Sequence, residues 1–189
     1  MDGEPAIRFA DAEVFSILVE AKVYGNYTPE KLGSLVPVDR DGDGMLTVEE
    51  LADISSLSNR PDVNSSVLAG NTTIETFDEF RYFTKMTFLG GGMFQNCISL
   101  KSITLPNSIK ETRSDAFSYT VIKKLVIPEG CTDVARQLIA YDTVLELVDL
   151  PSTLVTLGTG INRQGSLQFR LICRATTVSY THLTLPTKL

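Results

Sequence analysis

The sequence has one histidine, no long apolar run and no block of basic residues, and each of these absences excludes a class of function. The histidine is His182, so the rest of the chain has no base for a Ser-His or Cys-His mechanism. No stretch approaches the roughly 18 apolar residues that a membrane-spanning helix needs. The formal net charge of -6 comes without a cluster of Lys and Arg, so we expect neither nucleic acid as a partner nor membrane insertion.

Cysteine is also scarce, and its spacing matches no common framework. Cys97, Cys131 and Cys173 are an odd number at wide intervals without a CxxC pair, which indicates neither a disulfide framework nor a zinc site. We expect three small buried side chains. The acidic start at residues 1–4 lacks the basic and apolar stretches of a signal peptide, and a signal removed before residue 1 would leave the same sequence.

The motifs of common enzymes are missing as well. The sequence contains no G-x-S-x-G, no phosphate-binding loop and no dinucleotide fingerprint, and the glycines at 90–92 fit a turn. Four scattered acids allow a two-carboxylate site, although solvated surface acids are the simpler interpretation. These acids are Asp115, Asp133, Asp142 and Asp149. We therefore expect a binding protein rather than an enzyme, with a hydrolase as the least favoured alternative.

Two helices are predicted before the densest acidic cluster. Between Asp11 and Val23 the apolar residues recur on one face at helical spacing, which predicts an amphipathic helix. A second, shorter helix is predicted to begin at Thr28, because threonine is a good cap and a proline follows it. It is expected to end by Val36, since Pro37 disfavours helical geometry in the residue before it.

The segment from Asp39 to Glu50 has the pattern of an EF-hand-type calcium loop. It has acids at positions 1, 3 and 5, glycine at 6, an apolar residue at 8 and glutamate at 12. Alternate positions of a tightly turning loop point inward, and Gly44 permits the positive φ of the sharp turn. The predicted Ca²⁺ ligands are the carboxylates of Asp39, Asp41 and Asp43, the carbonyl of Met45, a water held by Thr47 and both oxygens of Glu50.

An acidic surface turn that caps a helix is the alternative interpretation of this loop. Crowded carboxylates without a cation repel each other, which favours the calcium site. Only one such loop is present, although EF-hands pair through position 8, here Leu46, and Pro37 does not suit a standard incoming helix. We therefore expect a lone structural site of about 10⁻⁴ to 10⁻³ M affinity rather than a sensor. Thr47 and Glu50 also have the capping-box spacing of an exit helix.

Short alternating strands that end in proline recur in the second half of the chain. Pro106, Pro128 and Pro151 each follow such a strand, at intervals of 22 and 23 residues. A step of 23 residues from Leu150 reaches Cys173 at the end of a fourth apolar stretch. A repeat of this length predicts a leucine-rich solenoid, in which each unit buries its apolar face against its neighbours.

Aromatic residues precede these strands. Phe94, Phe117 and Tyr141 lie at intervals of 23 and 24 residues and are expected to form a second apolar row of the core. Thr76 and Glu79 have the spacing of a helix cap, which predicts a short aromatic helix over the end of the solenoid.

The first repeat resembles a known family. Residues 92–106 contain the pattern F-x-x-C-x-S-L-x-x-I-x-L-P, which is similar to the unit of BspA-like leucine-rich-repeat proteins. The resemblance covers roughly residues 73–177, and the later units lack the N-C-x-S-L element. It implies a solenoid fold and a surface or secreted protein of gut or oral bacteria, a few of which resemble adhesins.

The expected architecture is α+β. A helical unit with the calcium loop occupies residues 1–58, a linker follows at 59–73, and a solenoid of about four units with an N-terminal cap occupies 74–177. Residues 178–189 resemble a translated sequencing-adapter read-through, so we expect a non-native tail there and a native chain truncated near residue 177.

These patterns together predict a non-catalytic, calcium-binding repeat module at the cell surface or outside the cell. Its expected partner is a protein or a glycan, in an adhesion-like role. The alternative is a structural or assembly component of a surface layer or a phage particle.

Overall fold

A computed structural model describes residues 5–27, 31–61, 65–166 and 168–180. The N-terminal region contains two helices and one small antiparallel sheet. Its elements are α1 (Ala12–Glu20), β1 (Lys22–Val23), β2 (Val36–Pro37) and α2 (Val48–Ala52). Within the part of the chain that the structure describes, neither helix has the length and apolar character needed to cross a membrane.

The first predicted helix is confirmed as α1, which is shorter than expected. Asp11 caps it by accepting a hydrogen bond from the backbone N–H of Glu13, and Val14 and Leu18 are buried on its inner face. The helix ends at Glu20 because Ala21 is extended and leads directly into β1.

The second predicted helix is wrong over its described part. Residues 31–35 contain no helix, and Val36–Pro37 forms strand β2, which pairs with Lys22–Val23. Residues 28–30 lie outside the described residues. Strand geometry suits Val36 because a β-branched residue before proline is driven to extended conformations. Proline is tolerated in β2 because the sheet has only two strands, so every strand is an edge.

The solenoid consists of ten short strands that follow one another in chain order. They are β3 (Thr76–Phe77), β4 (Phe88–Leu89), β5 (Ser102–Ile103), β6 (Glu111–Thr112), β7 (Lys124–Val126), β8 (Asp133–Val134), β9 (Leu147–Leu150), β10 (Thr156–Leu157), β11 (Arg170–Cys173) and β12 (Ser179–Tyr180).

The solenoid strands pair in parallel with the equivalent strand of the next turn, except that β5 and β7 do not pair. One sheet has the order β4-β6-β8-β10-β12, a second has the order β7-β9-β11, and β3 pairs with β5. The pairing of Lys124 with Leu147 and of Thr156 with Ser179 shows the repeat step of 23 residues. The four predicted strands are confirmed as β5, β7, β9 and β11, so the expectation of about four units holds.

The predicted aromatic helix forms as a 3₁₀ helix over Asp78–Tyr82, but its predicted cap is wrong. Thr76 lies in β3, where its hydroxyl bonds to Ser102 Oγ at 2.8 Å, so it is not free to cap the helix. The pairing of Thr76 with Ser102 also shows that the solenoid begins one strand earlier than the prolines indicate.

The predicted second apolar row is correct for two of its three members. Phe94 and Phe117 are buried, and their rings stack at 5.3 Å between centroids and 6° between planes. Tyr141 is only half-buried and stacks on Tyr119 instead. Ile139 occupies the buried position in the turn that contains Tyr141. Its N–H donates a hydrogen bond to the carbonyl of Ile161 in the next turn. The polar hydroxyl of tyrosine favours the outer position.

The N-terminal region and the solenoid share one apolar core, which extends from Val14 to Ile161. Asp11 joins the two regions, because its Oδ2 accepts hydrogen bonds from the N–H groups of Glu75 at 2.7 Å and Thr76 at 3.3 Å. The N–H of Ala10 also donates to Glu79 Oε1 at 3.0 Å. The helical region therefore covers the first turn of the solenoid.

Two of the three cysteines are fully enclosed, as expected. Cys97 and Cys131 are buried, and burial raises the pKa of each thiol to about 11. Cys173 is half-buried. At neutral pH the two buried thiols are therefore protonated and act as small apolar side chains.

The buried carboxyl of Asp142 holds two successive turns together. Its Oδ2 accepts hydrogen bonds from the N–H of Ile122 at 2.7 Å and the hydroxyl of Thr120 at 3.2 Å, and its Oδ1 accepts from the N–H of Val144 at 2.9 Å. Burial raises the pKa of Asp142 above its ordinary value.

Replacing this carboxyl by an amide is expected to destabilise the solenoid. Asp142→Asn loses one acceptor oxygen and leaves a buried N–H poorly paired, so the free energy of unfolding should fall by about 1–3 kcal/mol in urea titrations at pH 7. The raised pKa means that the native state binds a proton more readily than the unfolded chain. As the pH falls through the folded pKa, the wild type should gain stability relative to the variant, which does not titrate. A difference between the two proteins that is independent of pH would contradict this prediction.

Candidate metal centre

The predicted calcium loop brings three aspartates together. Carboxylate oxygens of Asp39, Asp41 and Asp43 all lie within 4.8 Å of one another, with Asp39 buried and the other two exposed. Gly42 and Gly44 have positive φ values of 72° and 79°, which allows the chain to turn tightly around the three carboxylates. This confirms the conformation expected for Gly44.

Backbone N–H groups of the loop hold these carboxylates in place. Asp39 accepts from Gly42 at 2.8 Å and from Gly44 at 2.9 Å, one bond to each oxygen. Asp41 accepts from the N–H of Asp43 at 3.2 Å, and Asp43 accepts from the N–H of Met45 at 2.7 Å. These bonds orient the carboxylates without neutralising their charge, so the loop is a concentrated negative site.

Glu50 occupies a different place from the three aspartates. Its Oε1 accepts from the N–H of Arg40 at 2.8 Å, and its Oε2 accepts from both the N–H and the hydroxyl of Thr47 at 2.9 Å. The N–H of Glu50 donates in return to Thr47 Oγ1 at 3.3 Å, which confirms the predicted capping box of α2. The carboxylate of Glu50 is thus held at the open side of the loop by its backbone partners.

The position-8 residue pairs with the N-terminal segment rather than with a second loop. Leu46 is fully buried, and its carbonyl accepts a hydrogen bond from the N–H of Ile7 at 2.8 Å. In paired EF-hands this backbone position bonds to a partner loop. Here the segment around Ile7 supplies the bond, which is consistent with a lone site.

A charged network connects the loop to the solenoid, and sequence patterns did not reveal it. Asp53, just after α2, forms ion pairs with Lys85 beyond the 3₁₀ helix and with Arg40 of the loop, the latter at 2.5 Å. Hydrogen bonds from Lys85 and then from Arg40 hold the pKa of Asp53 below its ordinary value. The positive charge of Arg40 is therefore paired with Asp53 rather than with the three aspartates.

The donor set suits calcium. The three carboxylates lie together, Asp41 and Asp43 line an open depression with Thr47 and Glu50, and oxygen is the donor that calcium prefers. The group contains neither sulfur nor imidazole, which argues against zinc and copper. The four scattered acids of the second half do not join such a group among the described residues; Asp149, for example, pairs with Arg174 at 2.6 Å.

The fold is a stack of short parallel strands with a repeat of 22 to 23 residues, which is the pattern of leucine-rich-repeat solenoids. The BspA type leucine rich repeat region matches residues 61–181 in six copies. The chain therefore belongs to the BspA-type leucine-rich-repeat family.

Two solved structures are similar to parts of the chain. A leucine-rich repeat protein from Bacteroides ovatus is 33% identical over 43% of this chain and 21% of its own, with a TM-score of 0.41. A leucine rich cell surface protein from Faecalibacterium prausnitzii is 15% identical over 60% of this chain and 45% of its own, with a TM-score of 0.37. The chain thus spans less than half the length of either protein. Among curated proteins we found no match.

The capping box gives a test of the loop that does not depend on metal. Thr47→Ala removes the acceptor for the N–H of Glu50, so unfolding in urea with EDTA present should require about 1 kcal/mol less than for the wild type. Thr47→Ser keeps the hydroxyl and should retain most of that stability. Equal losses in the two variants would show that the capping hydrogen bond does not stabilise α2.

Proposed function

We propose that this protein is a calcium-stabilised, non-catalytic repeat module at the cell surface or outside the cell that binds a protein or a glycan. The observation that supports it most directly is the convergence of Asp39, Asp41 and Asp43 beside the region that covers the solenoid. The loop offers a cation site, and the stacked turns offer an extended surface of the kind that repeat proteins use for recognition.

Two considerations support the extracellular location. The resemblance to BspA-like proteins implies a surface or secreted protein of gut or oral bacteria. A lone calcium loop without a partner loop suits the millimolar calcium outside cells, where modules bind with about 10⁻⁴ to 10⁻³ M affinity.

The proposed calcium ligands are the predicted set. Asp39, Asp41 and Asp43 supply carboxylate oxygens, and the carbonyl of Met45, a water on Thr47 and the carboxylate of Glu50 complete the shell. The bound cation would supply the positive charge that offsets the repulsion among the acids. Its role is structural, because the loop is tied to α2 and, through Asp53, to Lys85 of the solenoid cap.

A structural or assembly component of a surface layer or a phage particle is the second candidate. The continuous core and the turn-to-turn pairing from β4 to β12 favour it, since they make the chain a stiff spacer. A spacer would associate with its own copies, whereas a recognition module would bind a different molecule.

Calcium is expected to raise the melting temperature of the protein. Adding 5–10 mM CaCl₂, which is about five to ten times the upper end of the expected range of dissociation constants, should shift the transition upward by several degrees relative to EDTA. Asp39→Ala combined with Glu50→Gln should abolish the shift. Isothermal titration calorimetry should detect one site in the wild type. Magnesium should have a weaker effect because it demands smaller octahedral sites.

A double variant with the same charge change serves as the matched control. Glu49→Gln with Glu111→Ala removes two exposed acids that are not proposed ligands, and it should keep the full calcium shift. The calcium assignment fails if the wild-type melting curve does not respond to the cation, or if both double variants respond alike.

The recognition role is tested with purified ligands in calcium-containing buffer. The immobilised protein should bind at least one member of a panel of extracellular-matrix proteins, mucins and arrayed glycans, with saturable kinetics. Sedimentation velocity on the same sample should show no ordered self-association. Assembly without any ligand binding would replace the recognition role by the structural one.

A further inference from the structure

One corner of the solenoid holds residues in the left-handed backbone conformation at the same place in each turn. Hydrogen bonds connect these residues to the next turn; the N–H of Asn96, for example, donates to the carbonyl of Ser118 at 2.9 Å. We call this set the corner column. Its members are Gly70, Asn96, Tyr119, Tyr141 and Gln164, with φ values of 77°, 61°, 62°, 62° and 58°.

Tyrosine is an unusual residue for such a position. Glycine and asparagine adopt positive φ readily, whereas bulky side chains do so at a cost. The rings of Tyr119 and Tyr141 stack at 4.4 Å between centroids and 4° between planes, and this contact returns part of that cost. The column therefore tolerates a strained backbone at both tyrosines, and it places two aromatic rings side by side on an outer corner of the solenoid.

One ring of the stack is well exposed. Tyr119 is 43% exposed even though Tyr141 stacks on one side of its ring. No aromatic ring occupies the corner column in the turn of Asn96, because the column carries asparagine there. A flat ring that binds beside Asn96 would continue the stack by one step of the solenoid.

A polar groove lies at this level of the corner. It has a volume of about 550 Å³ and adjoins Tyr119 through Asp115, whose charge contributes, after burial and Tyr141, to raising the pKa of the tyrosine hydroxyl. The groove presents amide, hydroxyl and carboxylate groups over a glycine floor. Its lining includes Arg60, Gly92, Gln95, Asn96, Ser114 and Asp115.

These groups suit a sugar better than a protein. Protein interfaces have an apolar centre with aromatic anchors, and this groove has none of the large apolar side chains such a centre needs. A pyranose has one apolar C–H face, which packs on an aromatic ring, and a rim of hydroxyls, which bond to amides and carboxylates. Among the described residues, the side-chain amides of Gln95 and Asn96 have no hydrogen-bond partner, so both are available to hydroxyls.

We propose that the corner around Tyr119 is a carbohydrate-binding site, in which a pyranose stacks on the Tyr119 ring and bonds to Gln95, Asn96 and Asp115. This inference rests on the proposed function as a recognition module, and it names both the ligand class and the face that binds it. Asp115 is already positioned by a hydrogen bond from the hydroxyl of Ser118 at 2.8 Å.

The test uses the full chain with galactotetraose, cellotetraose and chitotetraose, each β1,4-linked. Calorimetry should show saturable binding of at least one of them. The chain has six tyrosines and no tryptophan, so its intrinsic fluorescence reports tyrosine alone and should change on binding. Saturation-transfer NMR with irradiation of the aromatic protons should give the strongest transfer to the C–H protons of one face of the sugar.

Variants separate recognition from folding. Tyr119→Asn should weaken binding about tenfold or more while the melting temperature stays equal or rises, because asparagine occupies the same position at residue 96. Asp115→Asn should also weaken binding, by several-fold. Gln164→Asn alters the same column away from the groove and should bind like the wild type.

Two results would overturn the site. One is the absence of binding to all three sugars, and the other is Tyr119→Asn binding as tightly as the wild type. If the wild type binds a purified protein but no sugar, this inference fails and the recognition role stands. If it binds neither, both fail. If Tyr119→Asn does not fold, the double variant Tyr119→Phe with Asp115→Asn replaces it, because this variant keeps the aromatic ring. A loss of affinity for the sugar would then support the site, and unchanged affinity would overturn it.

Discussion

Hydrogen bonds between successive turns hold every other part of this molecule in place. Successive turns pair in parallel through β4 to β12 and again along the corner column, the second row of strands pairs everywhere except between β5 and β7, and each turn buries its apolar residues against its neighbours. A turn without a neighbour would expose both its backbone groups and its core. The N-terminal region meets this requirement at the first turn, where Asp11 accepts the N–H groups of Glu75 and Thr76.

The need to cover the first turn also makes the acidic loop important for the stability of the chain. The loop precedes α2, and α2 is tied to the solenoid cap by Asp53 and Lys85. Repulsion among the three aspartates therefore acts on the region that covers the core, not on an independent module. A cation that relieves the repulsion would stabilise the whole chain, because the N-terminal region and the solenoid share one core.

The structural features that depend on the spacing of nearby residues could be predicted from the sequence. The loop, the capping box of Thr47 and the proline-ended strands all repeat a short pattern, and the structure places them as expected. The strands from β4 to β12 on the other sheet are two residues long and too short for any periodicity to reveal. The network of Arg40, Asp53 and Lys85 joins residues that are far apart in sequence, so no local pattern predicts it. In the turn of Tyr141 the buried residue is Ile139, two positions earlier, and the spacing of the aromatic residues did not predict this shift.

Two residues depart from the repeat pattern, and the fold compensates for each of them differently. Asp142 is a charged group in the core, and three donors from Thr120, Ile122 and Val144 satisfy it, so its place is explained within the protein. Tyr119 is a bulky residue in a conformation that suits asparagine or glycine, and its only ring partner is another residue with the same strain. A buried departure with complete internal partners serves the fold. In the proposed carbohydrate site, the exposed ring of Tyr119 would instead gain its remaining contact from the sugar that stacks on it.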